Sequence, residues 1–320
     1  MNRLSAHYDC FQAAVSLLCL KYERKPEWLF LTCFGIEYFT DEENFFNRLN
    51  PRISIEDNVF FKLVYGIEMK AIRNTVDRDV LLQLKVALRE GYDVIVLMDA
   101  FDCPWNPAYQ KKHFFHYFLI CNFDEERVFV CRDPYVSEKY YKISEKLLQK
   151  GILEIYYLKV KEDCANLKET DFSSLALRGY SKEIICMRYG QLMEDLLKIE
   201  ELEGMFEDTD PNLCRIILST KQIGKYCRGF HSLLLLLYEE MSASRENMQV
   251  CTQKYLKECL QETAELADAM ALEWEMVNAV LLKMLFRGAI NKRSIYAMEE
   301  YLEKIRNYEL AIYEKIDSLK

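Results

Sequence analysis

A cysteine, a histidine and an acid within the first 133 residues are the side chains with most to offer chemically. Cys10 follows Asp9 and opens a run in which Phe11, Ala14, Val15, Leu18 and Tyr22 recur at helical spacing, which predicts a helix capped by Asp9 with Cys10 in its first turn. The positive end of the helix dipole there is expected to lower the thiol pKa and favour the thiolate. In a chain with 12 cysteines this position says little alone, so the partners decide. His116 lies in the apolar run Phe114 to Ile120, where alternation sets it on the same face as Phe114, Phe118 and Ile120. Read by itself it is a core histidine. The runs Phe114 to Cys121 and Val128 to Cys131 flank Asp124-Glu125-Glu126-Arg127 and predict a β-hairpin. A turn centred between Asp124 and Glu125 pairs residues whose numbers sum to 249, which sets His116 opposite Asp133. A slip of one residue would put the two on opposite faces. A thiol, an imidazole to take its proton and a carboxylate to orient the imidazole make a nucleophilic cysteine site.

The elements that must position these groups follow from pattern. Arg78 to Arg89 reads as an amphipathic helix ending at Gly91, and Val94 to Met98 as a short buried strand. A polar loop with Pro104 and Pro107 leads to the histidine run; Ser144 to Lys150, stopped by Gly151, predicts a short helix, and Ile152 to Val160 a further strand. Beyond about residue 165 strand-like runs vanish. Segments rich in Leu, Glu, Lys and Met near 180–203, 212–241, 246–285 and 292–318 predict helices, with breaks at Asp208 to Pro211 and Gly288 to Asn291. The expected organisation is an α+β domain over residues 1–163 and an all-helical domain over 164–320.

Composition excludes several classes. With 51% hydrophobic and 29% charged residues, 10 Gly and 6 Pro, the 320-residue chain has the makings of a packed, rather helical globule. A net charge of −9 argues against a nucleic-acid binder. No apolar run approaches a membrane span, the nearest being Phe230 to Tyr238, and Met1 to His7 has no apolar signal region, so a cytoplasmic protein without membrane association is expected. The cysteines show no CxxC pairing and the chain has 4 His, which speaks against zinc and for buried free thiols.

The quoted residues resemble a known family. Tyr8-Asp9-Cys10-Phe11-Gln12-Ala13-Ala14, Asp99 to Tyr109 with its Pro104-Trp105-Asn106-Pro107-Ala108-Tyr109, His113-Phe114-Phe115-His116-Tyr117 and Asp133-Pro134 are similar to the butirosin biosynthesis protein H (BtrH) N-terminal family, over roughly residues 7–160. The resemblance implies a papain-like fold with Cys10 as nucleophile, His116 as general base and later acid, and Asp133 as the group orienting His116. It also implies acyl transfer in natural-product biosynthesis: an acyl group moves from the phosphopantetheine thioester of a carrier protein, through a cysteine acyl-enzyme, to a small amine. A related enzyme of closthioamide assembly is understood to use a diamine. No cofactor is implied, because the thioester is already activated. The chain departs from the papain pattern in having no Gln shortly before Cys10, and Leu29 to Phe39 holds only Gly35 where relatives are glycine-rich.

Asp99, Asp102, Tyr109 and His113 stand on the loop leading to the histidine strand and could line the acceptor site, the carboxylates holding a cationic amine; loop scaffolding is the plainer alternative. Lys111 and Lys112 read as a solvated pair that could also meet a phosphate or an acidic carrier, His7 as a terminal histidine and His231 as structural. The helical half carries no motif and could make a lid, an acyl-chain tunnel, a homodimer interface or a plain bundle. Against the acyltransferase stand a papain-like cysteine peptidase or amidase, for which water is the acceptor, and a non-catalytic binding module, for which the nucleophile would be lost.

Overall fold

The computed structural model describes residues 8–31, 33–39, 48–51, 58–73, 79–124, 127–160, 172–199, 211–243, 250–287 and 292–319. The chain divides into two compact units, one of residues 1–28 with 55–167 and one of residues 29–54 with 168–320. The architecture is mixed α and β, with the strands of one large sheet in the first unit and long helices in the C-terminal half. Residues 29–54, placed by the sequence in the α+β domain, cluster with the helices instead. No helix among the described residues is long and apolar enough to cross a membrane.

The first unit is built on helix α1 (Cys10–Lys21) and a six-stranded antiparallel sheet. Between α1 and the sheet's first strand comes helix α2 (Asn58–Tyr65), followed by β3 (Ile67–Arg73), helix α3 (Val80–Arg89), β4 (Asp93–Asp99) and a 3-10 turn over Ala100–Asp102. Then come β5 (Phe115–Phe123), β6 (Val128–Arg132), β7 (Tyr140–Ser144), helix α4 (Glu145–Gly151) and β8 (Ile152–Val160), in the spatial order β3-β8-β4-β5-β6-β7. Alternation sorts the strands' side chains onto two faces. Val94, Val96 and Met98 of β4, with Phe118 and Ile120 of β5, pack with Leu81 and Leu84 of α3 in one core. On the other face Phe11 of α1 meets the rings of Tyr117 and Tyr156 at 5.0 and 5.6 Å, both edge-on. Lys21, at the last turn of α1, pairs with Asp93 at the head of β4 at 2.8 Å. Helix α1 therefore runs against the direction of β4, and its N-terminus is delivered to the end of the sheet where β4 finishes and β5 begins.

The second unit holds the short antiparallel strands β1 (Ile36–Tyr38) and β2 (Leu49–Pro51) and helices α5 (Phe172–Ala176), α6 (Lys182–Ile199), α7 (Pro211–Ala243), α8 (Val250–Arg287) and α9 (Lys292–Asp317). The bounds of α6 to α9 follow the predicted helices closely, whereas α5, β1 and β2 were not predicted. Polar bonds tie residues 29–54 to the helices: buried Asp195 of α6 accepts from the Tyr38 hydroxyl at 2.7 Å and from Arg48 at 2.6 Å, while Arg188 donates to the Ile36 carbonyl at 2.7 Å. Gly35 has φ +98°, and a Cβ there would collide with the Glu309 carboxylate and the Tyr180 hydroxyl, so both the turn and the close approach require glycine.

Candidate active site

Helix α1 begins with a reciprocal cap. The Asp9 side chain accepts from the Gln12 amide at 2.7 Å, and the Gln12 side chain accepts from the Asp9 amide at 3.1 Å. The box fixes where the helix starts and leaves Cys10 as its first residue. The Gln12 Oε1 is thereby occupied in capping.

Cys10 is half-buried, a free thiol, and its sulfur receives the Tyr117 backbone N–H of β5. Sheet amides point along the plane of the sheet toward the neighbouring strand. Strand β6 pairs with β5 only from Leu119, opposite Arg132, so the first residues of β5 have β4 on one side and, among the described residues, no strand on the other. Tyr117, whose N–H meets the sulfur, follows His116 in β5.

Burial is the largest influence on the thiol and, with the Asp9 carboxylate, pushes it up to about 12; the Tyr117 and Cys10 amides pull the other way and Asp133 adds to the rise. This reverses the expectation that the helix terminus would leave a resting thiolate. Removing a charge from water costs more here than the oriented amides return.

His116 is 1% exposed and Asp133 0%. His116 Nε2 lies 2.6 Å from Asp133 Oδ2. A carboxylate only accepts, so Nε2 carries the hydrogen and Nδ1 is left as the basic nitrogen. The same Oδ2 accepts the Trp105 indole N–H at 2.8 Å, and Oδ1 accepts the Val136 amide at 3.3 Å. Trp105 is held by the Tyr141 ring, stacked at 4.8 Å, and by the edge of Phe118 at 5.1 Å. Tyr135 closes the group from the loop after Asp133: its ring lies 6.3 Å from that of His116, and desolvation, then the charges of Cys10, Asp9 and Asp133, raise its hydroxyl pKa.

The predicted pairing of His116 with Asp133 stands, but by a different register. Leu119 faces Arg132, where a turn between Asp124 and Glu125 would have put Val130, and a bulge lies between Ile120 and Asn122. The shift at the start of β5 is two residues, and an even shift keeps every side chain on its face. His116 and Asp133 are therefore diagonal rather than direct neighbours, still within reach of an imidazole. Trp105 and the Tyr117 amide went unassigned in the sequence. One comes from a loop 28 residues before Asp133 and the other is a backbone group, which no side-chain pattern marks.

Asp99, Asp102, Tyr109 and His113 gather on one loop beside the histidine strand, Asp99 being paired with Phe115 across β4 and β5. Two of them, Asp99 and His113, bind each other, while Asp102 and Tyr109 bind neighbouring side chains. His113 Nδ1 lies 2.7 Å from Asp99, which also accepts the Phe101 amide; against its desolvation these two bonds hold Asp99 below the ordinary carboxylate range. The His113 ring stacks on Phe101 at 4.3 Å. Lys150 reaches Asp102 at 2.5 Å, and Tyr109 accepts from Gln110 at 3.3 Å. Lys111 and Lys112 are exposed, His231 Nδ1 donates to the Ala264 carbonyl at 2.8 Å as a structural histidine would, and His7 lies outside the described residues.

Compared with protein-family models the chain matches none, and compared with curated proteins it again has no match.

Proposed function

We propose that the first unit is a papain-like cysteine acyltransferase that forms amides, taking an acyl group from a carrier-protein thioester onto Cys10 and passing it to a small amine. The observation that carries this reading is a histidine whose Nε2 is locked by a buried carboxylate, one residue along β5 from Tyr117, whose backbone N–H meets the Cys10 sulfur. The resemblance of Asp9 to Gln12, Pro104 to Tyr109, His113 to Tyr117 and Asp133-Pro134 to the BtrH N-terminal family favours a thioester donor and an amine acceptor over a peptide and water.

With the thiol held near 12 it rests protonated at neutral pH. As the thioester carbonyl arrives, sulfur attacks carbon and its proton passes to His116 Nδ1, which makes the imidazolium that Asp133 stabilises. The first-turn amide of Cys10 is a donor for the developing oxyanion. Collapse breaks the carbon–sulfur bond to pantetheine, and the departing sulfur takes the proton from His116. The amine then attacks the Cys10 thioester, gives its proton to His116, and the second collapse releases the amide and returns the proton to Cys10. One thioester and one amine become one amide and one thiol, with no change of oxidation state.

Intact mass spectrometry of the full chain with a panel of acyl-pantetheine thioesters, followed by diamines or aminoglycosides, tests the scheme. Wild type gains the acyl mass and loses it faster to amine than to water, whereas Cys10→Ala gains none. Amide formation by Cys10→Ala would sink the mechanism. Peptide cleavage without thioester capture would hand the site to the peptidase reading.

A further inference from the structure

We propose that the outward face of helix α8 is a self-complementary surface on which a second copy of this chain docks with its own α8 running antiparallel. Neighbouring helices cover the flanks of α8. On one side Arg228 of α7 binds Asp268 and Glu275, and Asn278 donates to the Ile217 carbonyl; on the other, Lys304 of α9 reaches Glu273 and Lys315 reaches Glu262. Trp274, Val277 and Leu281 point to the core.

The remaining face is solvent-exposed except at half-buried Ala269 and carries a seven-residue repeat. Glu265, Leu272, Ala279 and Phe286 form one line, and Ala269, Met276 and Lys283 the other, which is the seam spacing of paired helices. Leu272 is 49% exposed, Met276 45% and Phe286 84%. An apolar stripe of this kind on an otherwise charged helix marks a contact surface.

Charge along the stripe decides what covers it. The segment before the apolar centre presents Glu265, and the segment after it presents Lys283 and Arg287, both exposed. A partner must offer base, apolar, acid in the reverse order, and an antiparallel copy of α8 does so. With the twofold axis midway between Leu272 and Met276, Leu272 of one copy meets Met276 of the other, Ala269 meets Ala279, and Glu265 meets Lys283, each pair occurring twice as an isologous contact requires. A parallel arrangement would set Glu265 against Glu265 and Lys283 against Lys283, so charge selects the direction more than it adds affinity. A single helix pair is small by the standards of permanent interfaces, so a reversible dimer is expected.

Sedimentation velocity on the full chain from about 1 to about 100 µM reads this directly. Wild type shows a reversible monomer–dimer equilibrium. Met276→Glu raises the dissociation constant tenfold or more, and Leu272→Gln serves as a second probe should the first lose native helical circular dichroism. Lys283→Glu weakens the dimer, and adding Glu265→Lys in the same chain restores it. Carbodiimide coupling of a mixture of isotope-labelled and unlabelled chains links Glu265 to Lys283 between copies. A chain that stays monomeric throughout, a dimer indifferent to both apolar substitutions, or a double exchange that fails to recover overturns the proposal.

Discussion

Two histidine–aspartate pairs lie three residues apart in the same strand approach, and they have almost nothing else in common. His116 and Asp133 are separated by 2.6 Å with side chains 1% and 0% exposed, whereas His113 and Asp99 are separated by 2.7 Å with side chains 71% and 25% exposed. The distances alone would rank them equal. The buried pair has no water to compete for its groups and is completed by the Trp105 and Val136 N–H groups. The outer pair is screened and rests on the flat of Phe101. What a hydrogen bond does here is set by what surrounds it: the inner bond fixes a tautomer, and the outer one fastens a loop.

Substitutions that strip one partner from each pair should separate them most. Asp133→Ala leaves buried His116 and partly buried Trp105 without their acceptor and is expected to cost about 3–5 kcal/mol in denaturant unfolding, along with turnover. Asp133→Asn keeps the shape and some acyl capture, but slows turnover by roughly 10²–10⁴, since an amide cannot stabilise the imidazolium in the same way. An Asp133→Asn enzyme as fast as wild type would remove the inner pair from the mechanism.

The pH dependence of Cys10 gives the next largest effect. Because burial raises its pKa to about 12, the thiolate fraction at any pH below that rises about tenfold per unit, and alkylation by iodoacetamide should climb with that slope from pH 7 to 10. The sign follows from the charged form being the disfavoured one. Asp9→Asn removes a charge that raises the thiol and should speed alkylation at fixed pH. A plateau in rate below pH 7 would instead indicate a preformed thiolate.

Trp105→Phe keeps the ring against Tyr141 while deleting the N–H to Asp133, and about 1 kcal/mol of stability should go with it. The split is diagnostic: kcat should fall severalfold at unchanged KM, as for a positioning residue. The smallest effect belongs to the outer pair. Asp99→Asn should shift stability by less than about 1 kcal/mol, and 1 M salt should abolish even that difference while leaving Asp133→Asn unaffected.

The sequence showed the inner pair for a reason that is partly fortunate. The assumed turn misplaced the hairpin by two residues, yet the two-residue period of a strand forgives even errors, so the residues expected together are together. Strand β8 was legible to the residue because Ile152 to Val160 is a mostly apolar, β-branched and aromatic run, broken only by Glu154 and Lys159, between Gly151 and a charged stretch. Strand β7 was not, since Ile143 is its one buried side chain and no alternation shows. In β3 the alternation breaks at Lys70 and Ala71, both exposed. The state of Cys10 was misread because a helix start is visible in sequence and the burial that outweighs it is not. The long helices announced themselves by period, but nothing in Leu29 to Phe39 marks it as belonging with them.

That last assignment reaches into how the chain must be assembled. The chain leaves the first unit after Trp28, contributes residues 29–54 to the second, and comes back at Ile55, so the two units are interleaved rather than strung in series. The partners that hold the excursion, Arg188, Asp195 and Glu309, are made more than a hundred residues later. A polypeptide ending at residue 163 would therefore carry Cys10, His116 and Asp133 together with a stretch of β1 and β2 that has lost everything it packs on. On a ribosome the same stretch waits, unclosed, until α9 emerges, and the nucleophile's own helix is the segment immediately upstream of that wait.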